Sequence, residues 1–181
     1  GLMREAAAEA RRRGALLHTH ASENPGEVEA VRAAYGKDNV LVLAELGYAG
    51  ADVVLAHGVW LSPAERRRLA DAGTHLVHCP SANLKLGSGV AAVPELLRAG
   101  ISVGLASDGA PCNNTLDPFS EMRLAALVQG PRAGVSALSP ETVVRMATLG
   151  GARALGLERE IGSVEVGKRA DLDVVDAGGL N

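Results

Sequence analysis

The sequence predicts an α/β fold built on a parallel sheet, and three observations carry that expectation. Short apolar runs alternate with helical runs along the chain, the apolar runs end in polar residues or proline, and the 22 glycines fall singly between them instead of clustering in a linker. Aromatic residues make up only 2% of a composition that is 47% hydrophobic, so the core must come from Ala, Val and Leu, which suits helices packed closely on a buried sheet. Four strand and helix units in succession, joined by right-handed crossovers, amount to half of a (βα)8 barrel, whose usual size is ~250 residues. With 181 residues the chain is too short to close one.

Each element has a local reason. Leu2–Arg13 reads as a helix stopped by Gly14, and Ala15–His20 as a short buried strand ending in polar groups. A helix over Pro25–Tyr35 stops at Gly36, a shorter one covers Val40–Leu46, and Asp52–His57 is the next apolar run ending in histidine. Ser62-Pro63-Ala64-Glu65 has a capping-box pattern with Pro at the first helical position, so a helix begins there and closes near Gly73. The strand Thr74–Cys79 follows and Pro80 ends it; Ser81–Gly89 reads as a loop of small residues. Val93–Arg98 is helical, Gly100 stops it, and Ile101–Ala106 is a fourth strand running into Ser107-Asp108-Gly109. Asp117–Gln129 and Ser139–Leu155 are two further helices, the second opened by an imperfect capping box, and Gly162–Asp176 has strand-like character.

Composition excludes several functions. Eighteen Lys and Arg against 21 Asp and Glu give a charge of −3, without the basic excess that binding a phosphate backbone requires, so nucleic acid is not an expected partner. No apolar run approaches the roughly 20 residues of a membrane span, and the first residues follow an Ala/Glu/Arg helix pattern unlike a signal peptide, which points to the cytoplasm. Cys79 and Cys112 form no CxxC pair and read as small apolar residues. Gly87-Ser88-Gly89 is the one GxG and follows a loop, so the phosphate turn of a doubly wound sheet is missing.

The chemistry is carried by the strand ends. His20, His57 and Asp108 each fall at the carboxyl end of a different expected strand, where parallel α/β folds place their sites. Two imidazoles and a carboxylate suit a divalent transition metal, Zn2+ above all, with one position open to water. Glu23, three residues beyond His20, is the matching acid/base, placed to move protons between water and a substrate nitrogen. His75 and His78 read as core histidines, and His18, on the same strand face as His20, reads as a residue packed lower in the sheet. Asp117, Glu121 and Arg123 read as the charged start of a surface helix, with Glu121 able to reach the pocket mouth.

These residues resemble a known group. His20-Ala21-Ser22-Glu23, Ala56-His57-Gly58-Val59-Trp60-Leu61, the segment from His78-Cys79-Pro80 to Leu86, Ser107-Asp108-Gly109, Asn113–Asp117 and Glu121-Met122-Arg123 look like the amidohydrolase superfamily. The branch they resemble holds the methylthioadenosine/S-adenosylhomocysteine deaminases and the chlorotriazine hydrolases. The resemblance implies a (βα)8 barrel with one metal, Zn2+ or Fe2+, of which residues 1–160 supply the fifth to eighth strands and 161–181 a strand segment returning to a composite β-sandwich. It implies that His20 is a metal ligand, that Asp108 touches the metal and takes a proton from its water, that His57 contacts that water or the substrate's leaving-group region, and that Glu23 protonates the ring nitrogen as ammonia leaves. The implied substrate is an adenine-type purine nucleoside; guanine, cytosine and chlorotriazine are the related alternatives, and a non-catalytic metal-binding half-barrel the rival of another class.

The departures are informative. Ile161–Leu172 resembles the segment leading to the sandwich, but Asp173 stands where the family has an aliphatic residue, so an exposed or imperfect edge is expected there. The family's first-strand His-x-His pair has no counterpart, which implies part of an enzyme: a truncated or partial reading frame, a chain whose missing N-terminal half is a separate polypeptide, or a half-barrel stabilised as a homo-oligomer. His18-Thr19-His20 has the His-x-His form, but Glu23 follows at the fifth-strand spacing; were it the first strand, His18, His20, His57 and Asp108 would together make a four-ligand site.

Overall fold

The computed structural model describes residues 1–176 and residue 178. Four parallel strands, β1 (Leu17–Ala21), β2 (Val53–His57), β3 (His75–His78) and β4 (Val103–Leu105), pair in sequence order, Leu17 with Val53, Val54 with His75 and Leu76 with Val103. Sequential order and a common direction place all four carboxyl ends at one end of the sheet.

The helices form where their termini are chemically marked. Helix α1 (Leu2–Arg12) precedes β1. Helix α2 (Pro25–Tyr35) has Pro at its start, the Asn24 side chain accepting from the Glu27 backbone N–H, and Gly36 in the left-handed conformation at its end. After α3 (Asn39–Glu45), helix α4 (Pro63–Ala72) carries the complete capping box: Ser62 Oγ accepts from Glu65 N, and Glu65 Oε2 accepts from Ser62 N at 2.7 Å. Glu65 is buried because its other oxygen accepts the Val40 backbone N–H at 2.8 Å, tying α4 to α3.

Leu17, Val53, Leu55, Leu76 and Val103 pack with Val40, Leu43, Leu69 and Leu96 into one aliphatic core, as the scarcity of aromatics required. Helix α6 (Val93–Arg98) precedes β4, and the region after it holds the short turns α7 (Ala110–Asn113) and α9 (Gly130–Ala133) on either side of α8 (Pro118–Leu127). Residues 140–154 form one helical run, but its middle is wound as a π-turn over Met146–Gly150 between α10 (Pro140–Arg145) and α11 (Gly151–Ala154). The π-turn lies against β4, and it can do so because Gly150 has no side chain: a Cβ there would stand 2.6 Å from the Val103 carbonyl oxygen.

Several expectations need correction. Residues 80–85, read as loop, form helix α5 (Pro80–Lys85), because Pro80 occupies the first helical position instead of merely ending the strand. The strand expected over Gly162–Asp176 does not form among the described residues: the segment is turns and extended coil, and Val164, Val166 and Val174 are exposed. A strand needs a neighbour to bond, and among the described residues none lies beside it. The rest of that expected sandwich segment, to residue 181, falls largely outside the described residues. No helix among the described residues is long and apolar enough to cross a membrane.

Candidate active site

The parallel strands deliver four sequence-predicted residues to one end of the sheet. His20 is the penultimate residue of β1, Glu23 lies two residues past that strand, His57 ends β2, and Asp108 lies three past β4. Backbone geometry turns at each point: Ser22, His57 and Asp108 have φ of +51°, +75° and +62°, a region most side chains avoid. His57 pairs in register with the buried Ala21, one position off from His20, yet its ring stacks on that of His20 with centroids 5.3 Å apart and planes 17° from parallel. Leaving strand geometry at His57 is what permits this.

The surroundings hold each group by hydrogen bonds. The Glu27 carboxylate accepts from the backbone N–H of Ser22 at 3.2 Å and of Glu23 at 2.7 Å, fixing the turn that carries Glu23. Ser88 Oγ donates to Glu23 Oε1 at 3.1 Å, and the Trp60 indole donates to the Ser88 carbonyl at 2.7 Å. Asn83 Nδ2 lies 3.0 Å from His57 Nδ1. Asp108 Oδ1 accepts from Gly109 N at 2.7 Å, and Asn113 Nδ2 donates both to the Ser107 carbonyl and to Glu121 Oε1.

Electrostatics agree with this convergence. Burial holds the His57 pKa below its ordinary value; Glu23 and Asp108 pull it back up, while His20 pushes it further down, so all three stand close enough for their charges to be felt. His78 is wholly enclosed, with both ring nitrogens unpartnered, and burial brings its pKa down to about 4. Burial raises the Cys79 thiol to about 12, which removes it as a nucleophile.

Other expectations come out differently. His18 is exposed, not packed, and does not join His20, His57 and Asp108: among the described residues no three His, Cys, Asp or Glu side chains stand close enough to hold a metal ion. The four-ligand arrangement is therefore not formed. His78 is buried as expected but not satisfied, and His75 is only partly buried. Glu121 is no surface residue; it is buried, accepts the Ser81 backbone N–H at 3.2 Å and the Asn113 side-chain amide, and so clamps α5 and α7, the short helices that follow β3 and β4, together. Asn83, Ser88 and Glu27 were not singled out from sequence. The signal for the first two was the Cys79-Pro80 junction, a helix start read as a strand stop.

A parallel α/β sheet with imidazoles and carboxylates gathered at its strand ends defines a site of the α/β-enzyme type. The chain belongs to the amidohydrolase family, which it matches over residues 1–180. It is 48% identical over 164 residues to the 5-methylthioadenosine/S-adenosylhomocysteine deaminase of Moorella thermoacetica, covering 90% of this chain and 38% of that protein. To the enzyme of the same name from Thermococcus onnurineus it is 42% identical over 180 residues, 97% of this chain and 41% of the relative. Among solved structures it superimposes on a zinc-bound adenosine deaminase from Xanthomonas campestris with a TM-score of 0.94 at 39% identity, covering 98% of this chain and 41% of that one. Atrazine chlorohydrolase TrzN from Arthrobacter aurescens, complexed with zinc, gives 0.88 at 34% identity, covering 99% and 41%. The chain thus spans about two-fifths of the length of the relatives it matches.

Proposed function

We propose that this chain is the C-terminal half of the (βα)8 barrel of a metal-dependent aminohydrolase, residues 1–160 forming barrel and 161–181 leading to a β-sandwich, and that its substrate is an adenine-type nucleoside such as methylthioadenosine, S-adenosylhomocysteine or adenosine. The observation that carries the reading is the placement of His20, Glu23, His57 and Asp108 at one end of the sheet, in a chain 48% identical to a deaminase of such nucleosides.

The donor set fits a divalent metal by type but not by number. His20 offers an imidazole and Asp108 a carboxylate, both suited to Zn2+ or Fe2+, yet no third donor joins them among the described residues. They would hold a metal together with donors from outside this chain. When bound, such a metal supplies a Lewis acid that lowers the pKa of water.

The chain's own groups do the rest. Ser88 engages Glu23 Oε1, leaving Oε2 to carry a proton to the ring nitrogen adjacent to the reacting carbon. Asp108 accepts the proton released by the attacking water, and His57, kept neutral by its burial, meets the reacting end of the substrate by a hydrogen bond.

The test is to co-express the chain with the remaining part of the Moorella thermoacetica relative. The expected complex holds about one zinc or iron ion and releases ammonia from methylthioadenosine or adenosine; Glu23→Gln abolishes turnover with the metal retained, and His20→Ala loses both. Turnover confined to guanine or to a chlorotriazine would move the substrate to those branches. A complex that binds zinc tightly and turns over nothing would make the chain a non-catalytic module.

A further inference from the structure

We propose that Asn83 is a positioning residue that fixes His57 in the tautomer protonated at Nε2, so that this ring faces the substrate as a hydrogen-bond donor and not as a base. The inference rests on the reading of His57 as a group that meets the substrate.

The argument begins with what an amide can do. Asn83 Nδ2 can only donate, so the His57 Nδ1 that lies 3.0 Å from it must bear a lone pair. A neutral imidazole with its lone pair on Nδ1 carries its hydrogen on Nε2. The reverse orientation of the amide would place two N–H groups where Oδ1 now lies, a buried position with no hydrogen-bond partner, and orphaned N–H groups are rarer in folded proteins than orphaned carbonyl oxygens.

Asn83 is held too firmly to adapt to either tautomer. It is 1% exposed and sits within α5, its backbone N–H bonded to the Cys79 carbonyl at 3.0 Å and its own carbonyl to the Ser88 N–H at 2.8 Å. The same short segment therefore presents Asn83 to His57 and Ser88 to Glu23. With Nδ1 engaged, Nε2 is the ring nitrogen left for chemistry. A donor there stabilises negative charge developing on an attacking oxygen or on a leaving group, whereas the other tautomer would present a lone pair and repel it.

Long-range 1H–15N spectra of the labelled chain distinguish the two tautomers, with His57 assigned by comparison with His57→Gln, at a pH above the ordinary histidine range. The chain should show Nε2–H. Asn83→Asp should invert it to Nδ1–H, because a carboxylate only accepts, and Asn83→Ala should leave a mixture, with the backbone amide spectrum confirming that each variant is folded. In the reconstituted deaminase, Asn83→Asp should lower kcat while KM changes little. An Nδ1–H ring in the unmodified chain, or one tautomer common to all folded variants, would overturn the proposal. The spectra need neither metal nor substrate, so a correct tautomer without deamination would remove the deaminase reading and leave the assignment of Asn83 standing.

Discussion

His78 is where burial and titration meet most directly. Its ring is enclosed with neither nitrogen bonded, and its pKa falls from 6.5 to about 4 because charging it would strand a cation away from water. Between those values the unfolded chain binds a proton that the folded chain refuses, so stability is full above about pH 6.5 and drains away as pH drops toward 4, at up to about 1.4 kcal/mol per pH unit. His57 and His75, lowered mainly by the same desolvation, act in the same direction. The urea midpoint should therefore fall between pH 7 and pH 5, and fall less in His78→Phe; an identical slope in both would remove His78 as the cause. Sequence placed His20, Glu23, His57 and Asp108 at the strand ends because a polar residue closing an apolar run is visible one residue at a time. It did not reveal that His78 lacks partners or that Glu121 is buried, since both depend on what other elements bring to them.

Among the elements, α4 shows a local signal doing long-range work. Ser62, Pro63 and Glu65 announce its start in the sequence, but the second Glu65 oxygen accepts the Val40 N–H, a bond that no local pattern contains. Ser62→Ala should cost about 1 kcal/mol, the usual loss of an N-cap. Glu65→Ala should cost about 3 kcal/mol, since it removes a buried charged acceptor from two backbone donors. Equal losses in urea denaturation would mean that the α3–α4 tie contributes nothing. The helix α5 escaped the sequence reading for a physical reason: six residues with Pro at the start and no acidic first turn show no helical period, and packing decides their conformation. The π-turn escaped for another, because its winding accommodates the β4 backbone beneath Gly150.

At the scale of the whole molecule, the four-stranded order of the sheet was legible because the βα period is regular, while the strand expected in the tail failed because a strand is defined by its neighbour. Metal binding follows the same logic. Two donors at one sheet end are too few, so the chain after gel filtration should retain no stoichiometric zinc by elemental analysis, and His20→Ala should leave that result unchanged. About one zinc per chain, lost in both His20→Ala and Asp108→Ala, would instead mean that this chain completes a site unaided. The remaining part of a relative should restore binding, since the edges of β1 and β4 and the exposed His18 and His20 are surfaces that a closed barrel would cover.

The left-handed backbone at Ser22, His57 and Asp108 sets two kinds of laboratory selection against each other. Glycine at any of the three would relax the chain there. A library sorted for heat resistance alone should therefore gather glycine at positions 22 and 108 but not at 57, where the buried ring would leave a cavity, while one sorted for turnover beside the remaining part of a relative should reject it at 108. The position at which those two populations disagree would mark the site without any ligand being added.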